Sequence, residues 1–566
     1  MTHANNFFYK GRYKEVGTYM LMGIKESKIG RVFAVESMLL GSIAVAIGLP
    51  VGVLFSKLFF MLLSKAMMMN TQIPFYIPFR AISTLLLIFG GIILLLGFKN
   101  YWTVKRSKLI DMLNAAKKEQ SIPKMKWVRG ILGILCIGTG YVLALNMAEW
   151  KALGNAILGV FILECVGTYL FFGSFLGIIL FQCTKNKKLI YKGSRLISFS
   201  NTLFRLGSHY RSFAMSAILS AATVGAFSMS LSLKDYASGH VLIEAPYSIS
   251  YINEDEKIDN QIKQIIKGST HQIIKENQSH FIKGEVSYNN GEEKVTKKCL
   301  MTSYSEIQRA LEVTEFKNYK KILEQIRPRE GEVINILRAK TLVSQIRGKG
   351  NTYKIKGQSY KLKTQIQLPF IGEMPDIGQY ETYVITDKAY GILKQNEEEF
   401  TLKGINFTHP EDSLKLVEDL VKVIPHGVTN LNSYVQQYEY KYYVIGVFYF
   451  LGLVMSIVFM IATFSTIYFK ILSDSLLDRH QYKMLMKIGM NKDEITKSIY
   501  TQVGIAFVLP TLIGCMHSIF AIKTLETFMH YHLIKSICIG VSIFISVMII
   551  FYIFITKKYR DMVYEG

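Results

Sequence analysis

The chain is 566 residues long, half of them apolar and only 19% charged, with a net charge of +24. Its apolar residues gather in runs of about 20, the length that crosses a hydrocarbon layer of about 30 Å, which excludes an ordinary water-soluble protein. The charge first suggests nucleic acid, but residues 234–441 hold 29 basic and 28 acidic side chains, leaving 37 of the 66 basic and 14 of the 42 acidic side chains elsewhere. That excess lies on short segments flanking the apolar runs, a membrane pattern.

In chain order, residues 1–32 are too polar and aromatic for a signal peptide, so insertion falls to the spans themselves. Eight spans are predicted, at 33–62, 79–98, 128–148, 156–181, 213–233, 442–470, 500–522 and 535–556. Basic residues crowd the loops 99–127 (Lys105, Arg106, Lys117, Lys118) and 182–212 (Lys187, Lys188, Arg195, Arg211) and the tail 557–566 (Lys557, Lys558, Arg560). Positive loops stay cytosolic, which places both termini, 1–32, these loops and 471–499 on the cytosolic side of a membrane and residues 234–441 outside. Pro50 and Pro510 fall within spans and read as tolerated kinks. Glu164 is the one acidic group at depth; it reads either as a helix-to-helix hydrogen bond or as an ion-coupling site, and burial favours the neutral carboxyl.

Residues 234–441 are long enough for an independent core, and their mixed periodicity predicts an α+β domain inserted into a polytopic helical membrane protein. The stretch 351–368 alternates as a half-exposed strand does. Ser303 with Glu306 reads as a capping box, and Pro410 opens a helix over 410–424 with Leu414, Val417, Val421 and Ile424 on one face. The acidic strip 254–259 reads as a solvated turn. Cys299 is alone in this domain, so no internal disulfide is expected, and Cys136, Cys165, Cys515 and Cys538 read as small apolar packing.

No GxxxxGK[ST], GxSxG or HExxH string is present, so neither nucleotide hydrolysis by a phosphate loop nor a familiar hydrolytic or metal site is expected of this chain. What repeats is a basic amphipathic segment ahead of a span. A constant offset lays GRYKEVGTYMLMGIKESKIG (11–30) on LLDRHQYKMLMKIGMNKDEI (476–495), matching Gly23 to Gly489, Met20 to Met486 and Ile29 to Ile495. Each copy predicts a Met/Leu-rich helix, a glycine stop, a second short charged helix and then a span. One such helix alone reads equally as lying on the membrane surface. Two copies with Met20, Met22, Met484, Met486 and Met490 suit a pair of grooves on a symmetric cytosolic partner.

These residues resemble the FtsX-like permeases of ATP-binding-cassette systems, in particular the BceB/VraG type. The first copy is similar to the family's RxxExGxxxxLG segment at Arg12, Glu15, Gly17, Met22 and Gly23, followed by Ile24. The second is similar to its RxxQYxxLxxIG form at Arg479, Tyr482, Leu485, Ile488 and Gly489, flanked by Met486 and Met490. GTYLFF (167–172), LISFSNTLFRL (196–206) and the single large domain ahead of the last three spans extend the likeness along the chain. The family has ten spans, and the expectation is that its first two have no counterpart here.

The resemblance implies a permease with no cofactor of its own, paired with two copies of a cytosolic ATPase subunit that binds ATP and magnesium. Its implied output is resistance to, and sensing of, cell-wall-targeting peptides such as bacitracin. Further implied partners are a peptide antibiotic or lipid-linked wall precursor, membrane lipids and a sensor histidine kinase. Two other outcomes stay open: an FtsX-type permease serving lipoprotein release or wall-hydrolase activation, and a non-transporting receptor that signals to the kinase.

Overall fold

A computed structural model describes residues 12–67, 76–106, 127–146, 153–185, 195–253, 255–289, 294–314, 316, 318–337, 352–395, 397–424, 430–529 and 533–564. The chain divides into two units, one of Met1–Lys65, Asn70–Ser232 and Phe448–Gly566, the other of Ala66–Met69 and Leu233–Val447.

The apolar runs of the first unit fold as helices because their backbone groups can pair only within the segment when lipid surrounds them. A nine-residue helix α1 (Tyr13–Leu21) precedes α2 (Glu26–Ala66), α3 (Phe79–Lys105), α4 (Trp127–Leu145) and α5 (Leu153–Leu170). After α5 the hydrogen bonds widen into a π-helical turn, Phe171–Phe175, before α6 (Leu176–Lys185) and the 50-residue α7 (Arg195–Glu244). Each of the eight predicted spans falls on a membrane-length helix, although 128–148 runs past the end of its helix at Leu145, and Pro50 lies inside one without ending it. The segment 182–212, expected as a loop, is instead helical at 182–185 and from Arg195 onward, since RLISFSNTLFRL contains no breaker. Part of the 99–127 loop is also helical, to Lys105; residues 107–126 and 186–194, with their basic side chains, lie outside the described residues.

Helices α4 and α5 approach closely through glycine. A Cβ on Gly133 would sit 2.7 Å from the Phe171 nitrogen, and one on Gly167 would sit 2.8 Å from Ile137 Cγ1. Small residues at such crossings let backbones pack where no hydrophobic force separates helix from lipid.

In the second unit, strand β1 (Ile249–Asn253) is followed by α8 (Glu256–Lys267), β2 (Ile273–Asn289), β3 (Lys294–Ser303), α9 (Tyr304–Val313) and α10 (Tyr319–Ile326). Then come β4 (Glu332–Leu337), β5 (Thr352–Ile355), β6 (Gln358–Gln367), β7 (Glu381–Ile385), α11 (Asp387–Lys394), β8 (Glu399–Phe407), α12 (Leu414–Val423) and β9 (Leu431–Ser433). The mixed sheet runs β3-β7-β4-β6-β5-β2-β8-β1-β9, and an additional β2–β3 pairing closes its first six strands into a ring. The period of two then sorts the core. Ile282, Cys299, Met301, Val333, Tyr353 and Tyr383 cluster together, while their neighbours Phe281, Leu300, Ile334 and Val384 join a second cluster with Ile307 and Leu311 of α9. A third cluster joins Tyr251 and Ile405 of the sheet to Ile262 of α8 and Leu420 of α12.

The stretch 351–368 is a hairpin rather than one strand, because Lys356 and Gly357 both take positive φ, +49° and +81°. Two consecutive left-handed residues make the tight turn that suits strand twist. The Ser303 hydroxyl caps α9 by accepting from Glu306 N at 3.4 Å, but the Glu306 carboxylate turns to His280 (3.0 Å) and Arg309 (2.5 Å), so only half of the capping box forms. The helix after Pro410 runs Leu414–Val423 and buries Leu416, Val417 and Leu420, so the buried face differs from the expected one: Leu414 and Val421 are only partly buried, and Ile424 is buried just past the helix end.

Residues 255–259 of the strip 254–259 are not a solvated turn, and residue 254 lies outside the described residues. Asp255 caps α8, and Asp259 on its first turn is buried, accepting from Tyr251 Oη at 2.5 Å and pairing with Lys403 at 2.7 Å. Burial alone would raise that carboxyl, yet the Lys403 and Tyr251 bonds hold it below its ordinary value. The Cys299 thiol is pushed up to about 12, chiefly by burial and further by the charge of Glu381.

The chain returns to helix at α13 (Tyr434–Lys487), α14 (Lys492–Met529, containing Pro510) and α15 (Ile534–Tyr564). Within the second unit the last turn of α7 is held tightly. Glu244 pairs with Lys441 of α13 at 2.7 Å, and its carbonyl accepts from Glu373 N at 2.7 Å and Asn432 Nδ2 at 2.6 Å.

Candidate functional site

Two turns of the first unit have the same local construction. Helix α1 ends at Leu21, and Gly23 takes φ +82°; α13 ends at Lys487, and Gly489 takes φ +103°. In the first, Gly23 N donates to the Met20 carbonyl (3.1 Å) and Ile24 N to the Tyr19 carbonyl (3.1 Å). In the second, Gly489 N donates to Met486 (3.1 Å) and Met490 N to Leu485 (3.0 Å). This paired reversal is the Schellman stop, and it requires a residue that enters positive φ freely. A Cβ at either glycine would meet nothing within 4 Å, so conformation rather than space selects glycine.

The buried faces superpose as well. Under the same offset Val16 matches Tyr482, Ile29 matches Ile495 and Phe33 matches Ile499, all buried, while Met20 and Met486 are both partly buried. Each cluster is closed by the far end of the second span that follows: Val104 of α3 in the first, Tyr559 and Val563 of α15 in the second. The repeat therefore comprises a turn and two helices, more than the sequence match suggested, since identity is lost along the lipid-facing spans.

What each copy presents outward is apolar too. Met22 is 73% exposed and Ile488, its counterpart, 80%. Tyr19, Leu21, Ile24 and Met484 are also exposed. Met20, Met486 and Met490 instead pack inward, so three of the five methionines assigned to a partner's groove belong to the turn's own support. Nor is there a second short helix: after each glycine the chain enters α2 or α14 directly, α14 with the Glu494 carboxylate accepting from Asn491 N at 3.1 Å.

The arginines do different work. Arg12 clamps α1 to α2 by donating to Glu15 (2.7 Å) and to both Glu36 oxygens (2.6 Å each), with its guanidinium 4.9 Å from the Phe33 ring centre. Arg479 lies in the C-terminal part of α13, and its buried Nε has no hydrogen-bond partner among the described residues. Gly17 is buried beside Val16. The second copy is fastened instead through Asp478, which accepts from Tyr559 Oη, and Tyr482, whose hydroxyl lies 3.2 Å from Ser498 Oγ.

Glu164 lies on α5, its Cγ 3.4 Å from where a Cβ of Gly140 would be. Among the described residues no hydrogen bond of its carboxylate is seen, while its backbone carbonyl accepts from Thr168. The bond between helices is made one turn away. Thr168 donates to the Glu164 carbonyl (2.6 Å) and lies 2.9 Å from His517 Nε2 of α14, whose Nδ1 lies 2.9 Å from Tyr141 Oη of α4. Sequence reasoning missed His517, because a single histidine in an apolar run has no spacing to betray it. Among the described residues no cluster of His, Cys, Asp or Glu could hold a metal ion.

Residues 2–109, which contain the first turn and its two helices, match the FtsX-like permease C-terminal family. Over its whole length the chain is 24% identical to the uncharacterized ABC transporter permease YvcS of Bacillus subtilis strain 168, covering 88% of that protein. It is 25% identical to the ABC transporter permease protein YxdM of the same organism, over 98% of the chain and 87% of the relative. With the bacitracin export permease protein BceB of that organism it shares 24% identity, over 92% of the chain and 82% of the relative.

Proposed function

We propose, from the premise that this chain is an ABC transporter permease of the FtsX-like family, that its two glycine-stopped turns seat in the paired subunits of a cytosolic ATPase. The observation that carries this is the duplication itself. Two turns with the same hydrogen bonds, the same buried positions and exposed Met22 and Ile488 at equivalent places suit two equivalent grooves. Exposed apolar side chains beside charged flanks are the usual anchors of a helix in a groove.

Hydrolysis of ATP, with magnesium, belongs to the partner. Closure of its subunits would displace both turns, and α7 and α13, which contribute residues to both units, would deliver the motion to residues 234–441. The basic flanking segments put both termini and both turns in the cytosol and residues 234–441 outside. The task we assign is resistance to, and sensing of, cell-wall-targeting peptides, supported by similarity to a bacitracin export permease, with a membrane histidine kinase as the receiver of the signal.

The test is ATP turnover of this chain reconstituted with its cassette ATPase, with and without bacitracin. A complex with peptide-sensitive turnover supports the reading. A stable complex indifferent to every wall-targeting peptide points to another FtsX-type task, and failure to bind any ATPase points to a receptor.

A further inference from the structure

We infer that His517 is the pin that makes α4 and α5 move as one body with α14, the helix that begins at the second turn. The inference rests on the proposed coupling reading for the source of the motion, but the pin itself is geometric. Three helices meet at one imidazole. Thr168 spends its proton on the Glu164 carbonyl, so its oxygen accepts from His517 Nε2–H, and the bare Nδ1 accepts from the Tyr141 hydroxyl. A neutral imidazole satisfies every partner in this arrangement, which is what a site within the spans requires. The Tyr141 ring also stacks on Phe520, one turn along α14, with centroids 3.7 Å apart.

The surroundings make this a joint rather than an ordinary contact. Gly133 and Gly167 lock α4 to α5, so a force applied to either reaches both. On its other side α14 is pressed on α7: a Cβ on Gly514 would lie 2.6 Å from Ser220 Cβ, and Ser518 donates to the Ala221 carbonyl at 2.9 Å. At a rise of about 1.5 Å per residue, His517 stands roughly 38 Å along α14 from Lys492, so the node is placed to carry displacement of the second turn across the apolar thickness. The π-helical turn after α5 begins three residues beyond Thr168, a place where a helix can yield without breaking.

The experiment measures the distance between spin labels at Val142→Cys on α4 and Leu512→Cys on α14, both exposed, with the native cysteines replaced. It is run on the chain alone and on the ATPase complex, nucleotide-free and trapped with ATP and vanadate. The expected result is one narrow distribution in all three states, at least twofold broader in His517→Leu, and narrow again in His517→Gln, which can still donate and accept. Should His517→Leu fail to insert, Tyr141→Phe and Thr168→Val each remove one bond and should each broaden the distribution. A distribution in the variants as narrow as the unsubstituted one, or a shift with nucleotide in the unsubstituted chain, overturns the pin. Absence of any ATPase complex would sink the coupling reading alone, since the isolated chain still reports whether His517 holds the helices together.

Discussion

The two turns share a stop signal but are anchored by different physics. The first ends a nine-residue helix held by a half-exposed cluster of Arg12, Glu15 and Glu36 around a small apolar core. The second ends a 54-residue helix and rests on a buried aromatic core of Tyr482, Tyr559 and the residues around them. The two copies therefore agree in the turn itself, its hydrogen bonds and its exposed apolar residues, and differ in the support beneath.

That contrast can be broken hardest at the glycines. Gly489→Pro or Gly23→Pro cannot adopt positive φ, since proline is fixed near −65°, and each should cut ATPase co-purification at least tenfold with membrane insertion intact. Next come the supports. Tyr482→Ala should cost about 3–5 kcal/mol of stability, against about 2 kcal/mol or less for Val16→Ala, in thermal unfolding of the purified chain; equal losses would mean that the two cores are equivalent after all.

Asp259→Asn is a control outside the turns and should destabilise residues 234–441 by about 2 kcal/mol without touching ATPase association. The sign with pH follows from its lowered carboxyl. The stabilisation is complete above the ordinary value of 3.8 and fades as pH falls through the lower folded value, and the Asn variant should lack that part of the acid transition. Arg12→Gln should cost about 1 kcal/mol or less, and less still at high salt, because its cluster is partly solvated. Smallest for stability are Met22→Gln and Ile488→Gln, within about 0.5 kcal/mol, yet both should weaken ATPase binding.

The spans were legible because length and apolarity suffice to mark a helix in lipid, and both stop glycines because positive φ leaves a composition signature. Support positions such as Tyr482 and Val16 share a face but no chemistry, so periodicity alone could not pair them. The six-strand ring depends on pairings such as β3 with β7, whose partners lie some 80 residues apart (Cys299 with Glu381), and no local pattern encodes them. Asp259 was misread because a carboxylate next to Asp255 and Glu256 looks solvated until Lys403, brought in by β8, is placed over it. His517 acquires meaning only when α4 and α5 deliver Tyr141 and Thr168 to its two nitrogens.

The most direct test of equivalent docking is photo-cross-linking from single cysteines at Met22→Cys and Ile488→Cys in the assembled complex. Each position should capture the ATPase in comparable yield, and both together should give one permease bound to two ATPase subunits. Capture from one position alone, or from neither in a complex that is otherwise intact, would contradict it.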